Sequence, residues 1–360
     1  NKAKKQYAQA RISPDGRYLA YTTNQIGKVK IIVRDLEKGK DRTIIKYGYK
    51  LDEKVDFTYP LLAWSPMGNY LAIIYEKGRN HFLQVYDYKK RKKQIRVFNQ
   101  FNKIHDFSYN NRGNQLALSA IVNGQSDIYV YSLAGNSFKK ITADAYDDNY
   151  PRFVNNDQAL VWSSNRVDDT LRVIKQLVHQ IAEDTIRGQK NFDLFYYDLT
   201  KPSIVLRRIT NTPMASEKYT MPISYNKFSW ISDENGISNR YVGAFDSTIS
   251  YIDTSAHYRY YTKYTAVTNY GSNILEQDYN LFAEKYTEIV QVAGKTRIYL
   301  RPIPKYEDYD RQLLVKTEYM LDIVNQNELD RAKKEALQKL YKIQLQNDTS
   351  GILLKEVNQF

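Results

Sequence analysis

Residues 10–22 read Ala-Arg-Ile-Ser-Pro-Asp-Gly-Arg-Tyr-Leu-Ala-Tyr-Thr and predict a strand, a tight turn and a second strand. In the turn, Pro14 fixes φ, Asp15 can accept a hydrogen bond from the following backbone, and Gly16 can adopt a positive φ. After the turn, large apolar and small side chains alternate, which is typical of a strand buried between stacked sheets.

This unit recurs along the chain. Three further copies, the last of which lacks the turn glycine, lie at 63–72, 106–117 and 151–163. The equivalent leucines of the four copies are separated by 52, 45 and 44 residues and are Leu19, Leu71, Leu116 and Leu160. Such spacing is close to the roughly 40–50 residues of a four-stranded propeller blade.

Each copy continues with two more predicted strands. The third strands end in an acidic or small polar residue and lie at 29–35, 82–87 and 127–132. A short outer strand follows each of them, at 42–45, 94–97 and 139–142. Four strands joined by tight turns make one blade of a β-propeller.

The fourth blade is interrupted, because its third strand is expected only at 191–198 and its last at 207–210. Between them, residues 170–183 carry apolar side chains at helical spacing: Leu171, Ile174, Leu177, Val178 and Ile181. This predicts a helical insertion at about 168–188, with omission of residues from the sequence as the alternative. The helix would either pack on the propeller or dock a partner.

The repeat becomes less regular after the fourth blade. Residues 227–236 and 239–246 predict a fifth blade, with 250–253 as its third or fourth strand, and 269–300 predicts a sixth. Helical spacing over 328–345 predicts a C-terminal helix. The predicted fold is therefore an all-β, six- or seven-bladed propeller over 1–310, followed by a helical segment over 311–360.

The composition restricts the partners and the chemistry. The chain has no cysteine, 33 tyrosines and a formal net charge of +13, which favours anionic lipid, nucleic acid or an acidic protein surface. No apolar run approaches the roughly 18 residues of a membrane helix. Because the chain begins at Asn1, we expect a processed or trimmed start, and we expect the protein to continue beyond Phe360.

The block at 13–22 and its copies resemble the TolB-like, WD40-like propeller repeat. The copies at 63–72 and 106–117 keep the turn glycine and the Leu-Ala pair but have Met67 and Asn111 where the first has Asp15. The match covers 10–165 well and 191–300 loosely. The resemblance implies a bacterial protein that is periplasmic or outer-membrane-associated and serves as a protein-binding platform. The frequent tyrosine and asparagine are also similar to envelope proteins of Bacteroidota.

No catalytic site, metal site or cofactor is predicted. A Gly-x-Ser-x-Gly nucleophile motif is absent from the sequence, and no histidine lies in an HExxH pattern. The acidic residues Asp144, Asp147 and Asp148 have neither calcium-loop nor dyad spacing, so we expect them in a solvated loop between blades.

The basic run 89–93 is predicted to form a turn between the third and fourth strands of the second blade. A solvated turn, a phosphate contact and a membrane surface or acidic partner all fit such a run. Nucleic acid is disfavoured because no recognition helix or RNP-like motif accompanies the run.

The sequence therefore predicts a non-enzymatic interaction module that binds protein partners in an envelope complex for transport, secretion or biogenesis, with an anionic membrane as a further possible partner. The predicted binding rim is formed by loops that lead into the inner strands: Tyr59, His105, Tyr146, Asp148, Asn149, Tyr150, Asn165, Arg166 and Tyr219. Two alternatives remain: a regulatory propeller of a peptidase whose catalytic module lies outside this chain, and a glycan- or peptidoglycan-binding propeller.

Overall fold

The computed structural model describes residues 5–48, 56–78, 80–171 and 189–357, and it divides into two units, Asn1–Leu314 and Val315–Phe360. In the first unit, the described residues form six antiparallel sheets arranged as the blades of a propeller. Five sheets have four strands and the sixth has three. The predicted propeller is confirmed, and its number of blades is six.

Every sheet consists of strands that are consecutive in the sequence, with the first strand innermost. Blades 1 and 2 contain β1 Gln6–Ile12, β2 Tyr18–Gln25, β3 Lys28–Asp35, β4 Lys40–Tyr47, β5 Leu61–Trp64, β6 Tyr70–Lys77, β7 Asn80–Asp87 and β8 Lys93–Phe98. Blades 3 and 4 contain β9 Lys103–Tyr109, β10 Gln115–Val122, β11 Gln125–Ser132, β12 Ser137–Lys140, β13 Asp148–Val154, β14 Ala159–Ser164, β15 Asp193–Asp198 and β16 Arg207–Arg208. Blades 5 and 6 contain β17 Glu217–Ser224, β18 Lys227–Ser232, β19 Asn239–Ile252, β20 Ala256–Ala266, β21 Ile274–Asn280, β22 Lys285–Val292 and β23 Lys295–Pro302.

The six innermost strands surround a common axis, and each of them lies beside the innermost strand of both neighbouring blades. Among the described residues, blade 6 is joined to blade 1 by side chains and not by a shared strand. Asn280 Nδ2 donates to Ile12 O at 2.9 Å, and Thr287 Oγ1 donates to Ala10 O at 2.7 Å. These bonds close the ring.

Because neighbouring strands are antiparallel, the β1–β2 and β3–β4 turns and their equivalents in the other blades lie on one face of the propeller, which we call the turn face. The second turn of each blade and the connections between blades lie on the opposite face, which we call the loop face. The turn at 13–16 forms as predicted: Gly16 N donates to Ser13 O at 2.9 Å, and Gly16 has a φ of 69°.

The fourth copy of this turn forms without glycine. Asn155, Asn156 and Asp157 all have positive φ, at 52°, 56° and 68°. Asn and Asp tolerate this left-handed conformation better than other side chains do. The Asp157 carboxylate also accepts bonds from Asn111 N at 2.7 Å and Arg112 N at 3.2 Å, which links the turn of blade 4 to the turn of blade 3.

In blades 1 to 3, the polar residue that ends the third strand orders the turn that follows. The Asp35 carboxylate accepts bonds from Glu37 N and Lys38 N, both at 3.1 Å. Asp87 accepts from Lys90 N at 2.8 Å, and Ser132 Oγ accepts from Gly135 N at 3.2 Å. The sequence pattern at these positions is therefore explained by turn hydrogen bonding.

Large aromatic side chains fill the spaces between and within blades. Trp162 and Trp230 are almost completely buried. Between blades 2 and 3, Phe98 packs edge-on against Tyr131 and Phe138, with ring centroids 4.9 Å apart in both pairs. Such pairs bury large apolar area in a favourable ring geometry.

Blade 5 differs in part from its prediction. Residues 227–232 are the second strand of blade 5, and 250–252 lie in its third strand, as predicted, but they continue β19 from Asn239 and do not form a separate strand. Pairing of β18 with β19 ends at Ala244, so the β19–β20 hairpin continues beyond β18.

The predicted helical insertion falls mostly on 172–188, which lie outside the described residues.

The second unit contains the predicted helix, here α1 Glu318–Val357, which begins ten residues before the predicted 328–345. A short 3-10 helix at Tyr306–Asp308 precedes the boundary between the units. In the described part of the chain, no helix has both the length and the apolar character needed to cross a bilayer.

Candidate functional site

The innermost strands carry β-bulges where they surround the axis. Register shifts interrupt the pairing of β1, β9, β13, β17 and β21 with their neighbours. At three of the bulges, Gln9, Tyr150 and Tyr219 adopt positive φ of 54°, 56° and 53°. Bulges redirect side chains and are frequent next to functional sites, so the axis is a candidate functional site.

Charged side chains from four blades meet at the axis. Arg11 lies 3.6 Å from Glu276 and 3.7 Å from Asp278, measured from guanidinium nitrogen to carboxylate oxygen. Arg152 pairs with Asp106. Burial raises the pKa of Glu276 and of Asp278, and the positive charge of Arg11 opposes this shift. Two arginines against three carboxylates leave this axial cluster with one formal negative charge.

Tyr150 and Tyr219 form a second layer, on the loop-face side of these charges. Their ring centroids are 4.4 Å apart, and Tyr150 is hydrogen-bonded to Tyr219. Burial raises the pKa of both phenols, and the negative charges of Asp106 and Glu276 raise them further. The pair therefore lies close to the axial carboxylates of blades 3 and 6.

A cavity of about 110 Å³ opens at the axis on the turn face. The strand residues that line it include Arg11, Arg152, Asp278 and Met221, and the turn residues include Phe282. Phe282 is 58% exposed. A charged interior with an exposed aromatic side chain at its edge is suited to a ligand that has both polar and apolar groups.

Four of the nine predicted rim residues are buried: Tyr59, Tyr146, Asp148 and Arg166. Tyr59 accepts a hydrogen bond from Ile104 N at 2.7 Å, and Tyr146 lies under the Arg166 guanidinium, 5.5 Å from it. Their side chains hold the interior together and are not available to a partner. The structure therefore places these four residues in the interior and not on the surface of the predicted rim, and the sequence did not reveal their burial.

Arg166 and the acidic residues around it form one buried ion cluster. Arg166 Nη2 donates to both Asp148 oxygens, at 2.9 and 3.0 Å, and Nη1 donates to Asp144 at 3.0 Å. Trp162 Nε1 donates to Asp148 at 2.9 Å. Asp144 and Asp148 were expected in a solvated loop, and the structure corrects this because both are buried.

The other five rim residues, His105, Asn149, Tyr150, Asn165 and Tyr219, are partly buried on or near the loop face. Asn165 Oδ1 accepts from Asp147 N at 2.8 Å, and Asn149 Oδ1 accepts from Ser126 Oγ at 3.3 Å. Burial lowers the pKa of His105. The structure thus brings Tyr150 and Tyr219 together, while the two asparagines order loops.

Sequence reasoning missed the turn-face cavity. A signal was present, because Arg11, Asp106 and Arg152 are charged residues within strands that are otherwise buried. Glu276 and Asp278, which complete the axial cluster, come from a blade whose strands were predicted only loosely. Among the described residues, no group of three or more histidine or acidic side chains is arranged to hold a metal ion.

The buried acids of blades 3 and 4 predict a pH dependence. Burial raises the pKa of Asp127 and of Asp144 to about 6, although Lys140 lies 2.7 Å from Asp127 and Arg166 binds Asp144. A carboxyl with a higher pKa in the folded than in the unfolded chain takes up a proton on folding between about pH 4 and 6. Its contribution to stability is therefore complete below about pH 4 and is lost as the pH rises through 6.

Lowering the pH from 7 to 5 is accordingly expected to raise the free energy of unfolding of the wild type by about 1 kcal/mol more than that of Asp127→Asn. The comparison isolates the Asp127 carboxyl, because the buried histidines are present in both proteins and their titration cancels. Urea unfolding at the two pH values measures it. An equal response of the two proteins would contradict the raised pKa of Asp127.

Comparison with solved structures shows similar propellers at low sequence identity. TolB from Acinetobacter baumannii has a TM-score of 0.52 and 11% identity, with 84% of this chain and 61% of that chain covered. A putative TolB from Agrobacterium tumefaciens has a TM-score of 0.51 and 13% identity, with 76% and 84% covered. The β-propeller domain of the Trilobed protease from Pyrococcus furiosus, described as having an open velcro topology, has a TM-score of 0.50 and 11% identity, with 87% and 100% covered.

No protein-family model and no curated protein matches the sequence. The chain spans 61% of the length of the Acinetobacter TolB. The similarities show the fold alone: a six-bladed β-propeller with TolB proteins among its structural neighbours.

Proposed function

We propose that this chain is a non-enzymatic propeller module that binds a protein partner, within a periplasmic or outer-membrane-associated complex for envelope transport, secretion or biogenesis. The sequence resemblance to TolB-like repeats and the TolB proteins among the structural neighbours suggest the compartment. The lack of a nucleophile motif in the sequence supports a role without catalysis.

The observation that carries the proposal is the turn-face cavity. It combines the buried charges of Arg11 and Arg152 and the partly buried Asp278 with exposed Phe282 beside them. Interfaces often have such an arrangement, in which an aromatic side chain provides most of the binding energy and charges provide orientation. A segment of a partner that carries both apolar and charged side chains would fit it.

Replacing Phe282 with serine tests this contact. We expect the dissociation constant for the partner to rise at least about tenfold, because loss of an aromatic contact in an interface typically costs about 2 kcal/mol. The partner is first recovered from detergent-solubilised membranes with the tagged 360-residue chain and identified by mass spectrometry. Affinity is then measured with the purified pair.

Phe57→Ser is the matched control, because Phe57 is 54% exposed but lies on the loop face. Equal affinity of wild type and Phe282→Ser would refute the turn-face contact. Loss of affinity in Phe57→Ser alone would favour the loop-face rim instead. If the recovered material is a peptidase or a glycan, one of the two alternative functions replaces the proposal.

A further inference from the structure

The most basic segment of the propeller is the hairpin turn between β7 and β8. All five of its basic side chains are exposed: Lys89, Lys90, Arg91, Lys92 and Lys93. The backbone of the turn is internally hydrogen-bonded, since Asp87 N donates to Lys92 O and Arg91 N donates to Asp87 O, both at 2.8 Å. The turn is therefore ordered, and its charged side chains are free to reach a partner.

The neighbouring turn of blade 1 extends this charge. Lys38 and Lys40 are exposed on the β3–β4 turn, which lies on the same face. The acidic residues of that region are paired elsewhere, Asp35 and Glu37 with Arg17, and Asp41 with Arg34. Among the described residues, no ion pair neutralises the seven cations of these two turns. We call the two turns the basic sector.

Exposed apolar side chains lie next to the basic sector. Met67, at the tip of the β5–β6 turn of blade 2, is 68% exposed. Ile95 is also exposed and lies two residues beyond Lys93 on the outermost strand β8. Apolar side chains contribute nothing to binding a phosphate backbone, whereas they enter the boundary between headgroups and acyl chains of a bilayer.

We propose that the turn face of blades 1 and 2 docks on an anionic lipid surface. The seven cations attract acidic headgroups, and Met67 and Ile95 enter the interface between headgroups and acyl chains. The inference goes beyond the proposed partner site, because it concerns the two basic turns, Ile95 and Met67, none of which lines the axial cavity, and it does not involve Phe282. It is also measured with the chain alone, so either proposal can fail without the other.

The test is co-sedimentation of the 360-residue chain with vesicles of phosphatidylcholine, with or without about one third phosphatidylglycerol. We expect binding only to the anionic vesicles, and weakening as salt is raised from 0.05 to about 0.5 M, because exposed charges are screened. The variant changes Lys89, Lys90, Lys92 and Lys93 to glutamine. Each lysine near an anionic surface raises the partition coefficient by up to about fivefold. We therefore expect the partition coefficient of the quadruple variant to be lower than that of the wild type by at least about tenfold.

A control variant removes the same four charges from outside the sector, with glutamine at Lys46, Lys295, Lys316 and Lys334, which are exposed. Its partition coefficient should stay within about threefold of the wild type. Met67→Ser should weaken binding that persists at high salt, since its effect is not electrostatic. Unfolding curves of all variants should match the wild type, because these side chains are exposed.

Equal loss in the two quadruple variants would overturn the proposal, because net charge and not the sector would then drive binding. Equal binding to neutral vesicles would also overturn it. Absence of binding to the anionic vesicles would overturn it as well. If single-stranded DNA bound instead, in a way that depends on Lys89 to Lys93, the turn would be assigned to nucleic acid.

Discussion

Replacing Arg166 with methionine is expected to lower the free energy of unfolding by about 3 to 5 kcal/mol. The guanidinium is fully buried and donates to Asp144, to both oxygens of Asp148 and to Ser164 Oγ. Methionine fills most of the volume but leaves two carboxylates buried and unpaired. That cost greatly exceeds the value of an exposed ion pair, which is about 0 to 1 kcal/mol.

Arg34→Met provides the matched control, because Arg34 pairs with Asp41 at 3.2 Å in an exposed position. Chemical denaturation should show less than about 1 kcal/mol of loss for it. Adding Asp144→Asn and Asp148→Asn to Arg166→Met should recover much of the stability, since no buried charge is then left unpaired. An Arg166→Met protein as stable as the control would contradict the cluster.

A methyl group at Gly243 in β19 is expected to destabilise the propeller by about 2 to 3 kcal/mol through overpacking. A Cβ there would lie 2.6 and 2.9 Å from two carbons of the Trp230 ring and 3.0 Å from Thr262 Cγ2. Trp230 cannot retreat, because it is buried and stacked on Tyr241 with a centroid distance of 6.4 Å. Thermal and urea unfolding of Gly243→Ala measure the loss.

Gly271→Ala is the control for this substitution. A Cβ at Gly271 meets nothing within 4 Å, and its φ lies outside the left-handed region, so no loss of stability is expected. Gly243→Ala should cost less stability in a Trp230→Phe background than in the wild type, because phenylalanine lacks the outer ring carbons that the new methyl group would meet. An equal cost of Gly243→Ala in the two backgrounds would show that the contact with Trp230 is not the cause.

The blades were predictable because their turns depend on local chemistry. Ser13 to Gly16 form a turn through hydrogen bonds within six residues, so the sequence alone reveals it. The fourth copy forms its turn without glycine because Asn155 to Asp157 adopt positive φ. In blade 5 the sequence placed the start of the blade at 227–236, whereas residues 227–232 form its second strand. The first strand, β17, was missed because no such turn motif follows it.

The site was less predictable because burial depends on distant residues. Arg166 has the sequence context of an exposed loop, and only folding brings it to Asp144, 22 residues earlier. The axial cluster joins Arg11 to Asp278 across the whole length of the propeller. Local sequence therefore did not separate buried ion pairs from contact residues, and it did not reveal the charged strand residues that meet at the axis.

The contiguous make-up of each sheet has a consequence for how the chain folds. All pairings within a blade join residues that are near one another in sequence, so each blade can form as soon as its own segment has been synthesised. Contacts such as Asn280 with Ile12, which are 268 residues apart, must wait for the last blade. During synthesis the flank of the first blade is therefore open to water, and chaperones and proteases have access to it until the circle is complete.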